Sequence, residues 1–308
     1  MNEFKLIERY FNWTNHHTIS LGVGDDCAII DTTPNTQTVT SVDTLIEGVH
    51  FPKNTNAADI AYKALAVNLS DLAAMGATPK YFTLALTLPK LDEVWLTEFS
   101  NSLKQMSNEH HLDLIGGDTT KGALSVTINI VGEVATGKAL LRSGAQVDDL
   151  IYVSNNVGDA AYAWQQIEQG DKPSDFCLER FNRPTPRVGL AQALVGVANA
   201  CIDISDGLAQ DLSHILSRSK VGANISLDVI PLSDEVADYI NTTQDWCVAL
   251  AGGDDYELCF TVSKENIDTI KLIEKELGIA LAKIGVVTEG QGLKINGLDK
   301  TCKSYQHF

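Results

Sequence analysis

A mixed α/β (α+β) protein of two domains is what this sequence predicts. Three observations carry that expectation. Its 308 residues are more than one core commonly organises. Period-two, β-branched runs alternate with helical stretches from end to end. A polar, glycine-containing break at 142–149 separates the halves, so the first domain is expected over 1–142 and the second over 143–308. In chain order, strands are expected at 38–46, 82–88, 124–134, 150–154, 225–230, 258–262 and 284–288. The run Ser125-Val126-Thr127-Ile128-Asn129-Ile130-Val131 shows why: alternate residues are apolar, which suits a sheet with one solvated face.

Helices are expected at 55–75, 92–108, 159–169, 186–199, 207–217, 233–241 and 264–277. Thr55-Asn56 can cap the first, Gly76 and Pro79 stop it, and Asp92 can cap the second. The stretch 63–75 has little polar character on any side, so that helix should be largely buried.

Composition narrows the function. Lys and Arg number 23 against 40 Asp and Glu, a net charge of −17. That excludes a broad basic face for nucleic acid and a polybasic membrane anchor. No apolar run nears the ~20 residues that cross a bilayer, and the opening Met1-Asn2-Glu3-Phe4-Lys5 lacks the pattern of a signal peptide, so a cytoplasmic protein is expected. Six cysteines without any C-x-x-C pair speak against a disulfide framework or a structural zinc site, and are expected as small reduced core side chains.

The acids carry the chemistry. Aspartates recur at the ends of apolar segments beside glycine or serine: Gly24-Asp25-Asp26, Ser41-Val42-Asp43, Ser70-Asp71, Gly116-Gly117-Asp118, Asp203-Ile204-Ser205-Asp206-Gly207 and Gly252-Gly253-Asp254-Asp255-Tyr256-Glu257. Each alone reads as a turn or a helix cap. Together they would repel one another unless cations gathered them, and oxygen-only ligands select hard ions such as Mg²⁺, which binds through a few carboxylates and substrate phosphates. The expectation is a multi-Mg²⁺ site for a polyphosphate. Asp71 fits a ligand best, because an unpaired charge on an apolar helix is costly. No P-loop or protein-kinase signature occurs. Cationic help is sparse, with Arg142 the best-placed phosphate clamp and Lys121 a second candidate.

These blocks, with Asp43-Thr44-Leu45-Ile46-Glu47-Gly48-Val49-His50-Phe51, Lys63-Ala64-Leu65-Ala66-Val67-Asn68-Leu69-Ser70-Asp71 and Ile115-Gly116-Gly117-Asp118-Thr119-Thr120, stand in the order seen in the thiamine-monophosphate kinase family, which the chain resembles over nearly its whole length. The resemblance implies the two-domain fold of aminoimidazole ribonucleotide synthetase, a homodimer formed through the sheet of the first domain, and ATP-dependent phosphorylation of thiamine phosphate with Mg²⁺. By that resemblance Asp26, Asp43, Asp71, Asp118, Asp203 and Asp206 would ligate Mg²⁺, helped by Ser41 and the carbonyl of Val42. Gly117, Asp118, Arg142 and Ser205 would lie along ATP. His50 and Glu257 would face thiamine phosphate, with Tyr305 packed on its rings. Val42 stands where relatives often have threonine, and Tyr305 where some have tryptophan.

The residue types suit that chemistry. A phosphate monoester with a second pKa of about 6 is already a nucleophile at neutral pH, so no general base is needed. Asp43, Asp71, Asp118 and Arg142 would act by charge and position, in direct transfer without a phosphoenzyme. Competing expectations are a sibling ATP-dependent synthetase of the same fold and a non-catalytic, metal-stabilised dimeric binding protein.

Overall fold

The computed structural model of the chain describes residues 3–13, 19–23, 27–298 and 302, which divide into two compact units. The first comprises residues 1–72 and 77–137. It contains α1 (Glu3–Tyr10), a small antiparallel pair of β1 (Ile19–Leu21) and β2 (Ile29–Ile30), β3 (Thr36–Ile46), α2 (Ala57–Ala74), β4 (Thr78–Leu88), α3 (Glu93–Glu109), β5 (Asp113–Lys121) and β6 (Ser125–Ala135). The four long strands form one sheet in the order β3-β6-β4-β5, with β4 and β5 parallel across α3 and the other pairs antiparallel.

Alternation along β6 buries Val126, Ile128 and Ile130 and leaves Thr127, Asn129 and Val131 half-exposed. Helix α2 covers the buried side: a Cβ at Gly132 of β6 would lie 3.0 Å from Leu72. With Ala61, Leu65, Ala66 and Leu69 all inaccessible, α2 is apolar around its circumference, as its sequence implied. Asn56 caps it, accepting from the Asp59 amide at 2.8 Å, and Asp92 caps α3 at the Val94 and Trp95 amides.

The second unit comprises residues 73–76 and 138–308. Its elements are β7 (Leu150–Ser154), α4 (Asp159–Gln169), α5 (Asp175–Asn182), α6 (Val188–Leu194), β8 (Ala200–Asp203), α7 (Leu208–Ser219), β9 (Gly222–Ser226), α8 (Asp234–Thr243), α9 (Cys247–Leu250), β10 (Leu258–Val262), α10 (Ile267–Leu277), β11 (Leu281–Thr288) and β12 (Gly292–Asn296). Six strands pair in the order β12-β9-β11-β7-β10-β8, antiparallel except for β12 beside β9. Leu208, Leu212, Ile215 and Leu216 of α7 bury one apolar stripe in the core with Ile151, Val153 and Ile202 of the sheet. Among the described residues no helix is long and apolar enough to cross a membrane.

Several expectations are corrected. The strand expected at 225–230 is β9, which ends at Ser226 and gives way to a single 3₁₀ turn over Leu227–Val229. The helix expected at 186–199 shortens to α6, since Val195 takes extended backbone and Gly196 a φ of +79°. Asp118 lies inside a strand rather than in a turn, because β5 is an edge strand that tolerates polar residues, whereas Asp43 falls within the strand expected at 38–46. Cys247 and Cys302 form a disulfide, with Cα atoms 5.2 Å apart. Their 55-residue separation hid the proximity, while Cys177, Cys201 and Cys259 are buried thiols as expected.

Candidate active site

In the first unit the sheet and its helix bring three expected ligands together. Ser41 and Asp43, two apart on β3, share the side that faces α2, and the Ser41 hydroxyl donates to the carboxylate of Asp71 on that helix. Burial, and then the adjacent Asp71 carboxylate, push the Asp43 carboxyl up to about 7. Two carboxylates this close are an unfavourable pair by themselves. Their all-oxygen donor set suits a hard divalent cation, which would remove the repulsion. Val42, on the opposite side of β3, is 57% exposed, so only its main chain is available to such an ion. Asp26 and Tyr305 lie outside the described residues, and among the described residues no group of three or more His, Cys, Asp or Glu is placed to hold a metal.

Asp118 is not beside the pair. Asp43 pairs with Ile128, Ile128 with Leu84 and Leu84 with Gly117, so Gly117 shares a rung with Asp43 at the opposite edge of the sheet, three strand spacings or about 14 Å away. Gly117 has to be glycine: a Cβ would stand 1.9 Å from the Leu84 carbonyl oxygen. Gly117 and Asp118 line a cavity of about 1150 Å³ together with Phe11, Leu84, Leu114 and Ile115 and with Lys5, Glu8 and Arg9 of α1. A largely apolar lining with a few charged side chains fits a nucleotide-sized ligand. Lys121 is exposed further along β5.

His50 closes a tight turn after β3. Its amide donates to the Ile46 carbonyl at 3.0 Å, and its ring Nδ1 accepts from the Ile46 amide at 3.0 Å. Phe51, 1% exposed, anchors the turn below.

The second unit holds the remaining acids. Asp203 ends β8, buried, and the turn after it is fixed by Asp211, whose Oδ2 accepts from the amides of Ser205, Asp206 and Gly207 at 3.0–3.1 Å. Burial raises the Asp211 carboxyl to about 7 even against those three bonds. With its amide engaged, Ser205 offers its hydroxyl, and Asp206 accepts from Gln210 at 2.9 Å. Behind the turn lies the second Gly-Gly-Asp segment: the Asp254 amide donates to the Ser205 carbonyl at 2.9 Å, and a Cβ on Gly253, at φ +72°, would meet that same oxygen at 2.3 Å. Asp254 and Tyr256 also hold left-handed backbone, which concentrates strain behind the turn. Arg142 is exposed, its carbonyl accepting from Ser219.

Glu257 is wholly buried and surrounded. Oε1 accepts from Arg180, Arg187 and Asn155, and Oε2 from Arg187 and Ser154, at 2.6–3.2 Å. Two carboxylate oxygens offer about four lone-pair directions, so a ligand would reach this carboxylate only by displacing a partner. Arg180, Arg187, Asp211 and Lys63 were not singled out by the sequence reading. The signal for Lys63 was there, as a cation on an otherwise apolar helix.

Comparison with known proteins follows the same lines. The family profile described as AIR synthase related protein, N-terminal domain, matches residues 24–134, and that of the C-terminal domain matches 146–297. A thiamine-monophosphate kinase of Haemophilus influenzae is 46% identical over 298 residues, covering 95% of this chain and 91% of the relative. One from Escherichia coli K12 is 46% identical over 319 residues, covering 99% and 98%. Among solved structures, the thiamine-monophosphate kinase of Stenotrophomonas maltophilia superposes with a TM-score of 0.87 at 43% identity, covering 92% of each chain. A structure described as AaThiL complexed with AMPPCP and TMP gives 0.80 at 30%, covering 94% and 93%.

Proposed function

This chain belongs to the AIR synthase related family, as a member of its thiamine-monophosphate kinases, and from that premise we propose that it transfers the γ-phosphate of ATP to thiamine phosphate, giving thiamine diphosphate and ADP. The observation that carries the reading is the Asp43–Asp71 pair with Ser41, an oxygen site whose like charges call for a divalent cation. The ATP-analogue and TMP complex of a relative supports the choice of substrates.

In this reading an oxygen of the acceptor phosphate forms a bond to the γ-phosphorus as the bond to the bridging oxygen of ADP breaks, in line and with no phosphoenzyme. Asp43, Asp71, Ser41 and the Val42 carbonyl hold Mg²⁺, with Asp26, Asp118, Asp203 and Asp206 as further ligands. When bound, the metal neutralises charge that would otherwise keep two anions apart. Gly117 lets the nucleotide approach bare main chain, Arg142 adds the positive charge of a clamp, and the Ser205 hydroxyl lies along ATP. His50 borders thiamine phosphate. Glu257 acts there by orienting Arg180 and Arg187, and Tyr305 packs on the rings.

The reading requires a homodimer. β3 presents Thr38, Thr40, Val42, Thr44 and Ile46 on one exposed, uncharged side, continued by Thr127, Asn129 and Val131 of β6. A two-fold dimer built on that face, with its axis along the strands, would set the β5 edge of one protomer beside the β3 edge of its partner. Asp118 of one copy then joins Asp43 and Asp71 of the other, which answers the 14 Å separation within one chain.

The test is ADP release with thiamine phosphate as acceptor, with and without EDTA. Thiamine diphosphate formed in step with ADP, and abolished by EDTA, is the expected result. ADP formation that survives chelation, or its absence with this acceptor, overturns the reading.

A further inference from the structure

We propose that Asn155 is a specificity-determining residue of the acceptor site: its side-chain amide donates to Glu257 and hands that place to the amino group of an aminopyrimidine. The proposal rests on the reading that Glu257 faces thiamine phosphate, whose pyrimidine ring carries such a group.

The Glu257 carboxylate has more donors than places for them. Oε1 accepts from Arg180 at 2.8 Å, from Arg187 at 2.6 Å and from Asn155 at 3.2 Å, while Oε2 accepts from Arg187 and Ser154, both at 2.6 Å. Three donors share the two lone-pair directions of Oε1, so one of them is surplus. Length and charge single out Asn155. Its bond is the longest of the five and its amide is neutral, whereas both guanidiniums give charge-assisted bonds, Arg187 in the bidentate form. Two of the other partners are also held from a second side: Ser154 Oγ accepts from the Leu258 amide at 2.9 Å, and Arg180 Nε lies 3.7 Å from Asp159. Among the described residues, the Asn155 side chain makes its one bond to Glu257.

Asn155 is also placed to move. It follows β7 and is half-buried, while Ser154 and Arg180, on the same carboxylate, are buried. Its main chain is anchored, because its amide donates to the Ala280 carbonyl at 2.8 Å, so the side chain can turn without disturbing the sheet. Its φ of +50° is a backbone that asparagine and glycine tolerate better than other residues. When its amide turns away, the four remaining donors match the lone pairs of the carboxylate, so vacating the place costs little. An incoming amino group then restores the fifth N–H. A carboxylate between two guanidiniums accepts and does not donate, so the same place rejects a ring that presents a carbonyl oxygen there.

The experiment measures binding of thiamine phosphate to the Mg²⁺-loaded full chain by calorimetry, beside oxythiamine phosphate, which has a carbonyl in place of the amino group. Nitrogen NMR follows the asparagine side-chain amides, with the Asn155 pair assigned by its loss in Asn155→Gly and Asn155→Asp. Thiamine phosphate is expected to shift that pair and oxythiamine phosphate to leave it in place. Asn155→Gly, which suits the left-handed backbone, is expected to bind thiamine phosphate about threefold tighter or more, since no bond has to break first, with no gain for oxythiamine phosphate. Asn155 signals unmoved by saturating thiamine phosphate, an equal gain for both ligands, or a variant that binds thiamine phosphate no tighter overturns the proposal. If Asn155→Gly does not fold, the NMR signals of the unsubstituted protein decide it, assigned through Asn155→Asp. Thiamine phosphate that binds with Asn155 unmoved removes this proposal alone, whereas thiamine phosphate that does not bind the unsubstituted protein removes the acceptor reading as well.

Discussion

If Asp43 and Asp71 hold the cation as proposed, they place function and stability in opposition at single residues. Each carboxylate raises the cost of the other, and that cost is borne by the protein without metal. Asp43→Asn is expected to raise Tm in EDTA by about 2 °C or more, since relief of roughly 1 kcal/mol shifts a chain of this size by that much. It is also expected to lower kcat about a hundredfold or more through lost preorganised charge. Differential scanning fluorimetry with and without Mg²⁺, beside steady-state rates, checks both halves. The unsubstituted protein should gain more from Mg²⁺ than the variant. At this scale the sequence was informative where a residue conflicted with its surroundings. Asp71 on an apolar helix announced a task, and Lys63 on the same helix carried an equal signal that went unread. Glu257 stood out in its acidic block, but its arginine partners did not, because they stand 70 and 77 residues away and only folding brings them close.

Turns behind turns are the lesson among elements. The Ser205-Asp206-Gly207 turn owes its shape to Asp211 on one side and to the 252–257 segment on the other. Gly253→Ala forces a Cβ to 2.3 Å from the Ser205 carbonyl in left-handed backbone. It is expected to cost about 2 kcal/mol or more, seen in urea unfolding, and to shift the Ser205 and Asp206 amides in NMR spectra. The repeated Gly-Gly-Asp tripeptide thus has two different uses. At 116–118 it admits close approach of a neighbouring strand, and at 252–254 it buttresses a loop. Helix ends and most strands were legible from capping residues and alternation. β5 was not, because Gly116-Gly117-Asp118-Thr119-Thr120 has the composition of a turn and becomes a strand only beside the apolar β4. Pairing across a sheet is not written in local sequence, so neither was the distance between Asp43 and Asp118.

For the whole molecule, the proposed dimer would make catalysis a property of two chains, because Asp43 and Asp118 lie at opposite edges of one sheet. Asp43→Asn and Asp118→Asn proteins, each nearly inactive, are expected to regain about a quarter of full activity after mixing under conditions that exchange subunits. About half of the dimers are then mixed, and each mixed dimer keeps one intact site of two. Mixed samples no better than their parents would return Asp118 to a role within its own chain. Composition and order of motifs indicated two units and pointed to an acidic, cation-binding site, but the exposed threonine and valine face proposed as the dimer surface carries no local signal beyond alternation.

The cross-link between Cys247 and Cys302 bears on the second unit in another way. The covalent ring it closes contains β10, α10, β11 and β12, and with them the 252–257 segment. Closing a loop of 55 residues removes about 4 kcal/mol of disorder from the unfolded chain. In surroundings that keep thiols reduced that contribution vanishes, and side-chain packing alone has to hold half a sheet in register; the endurance of this unit is therefore set by the redox poise of its surroundings as much as by its amino acids.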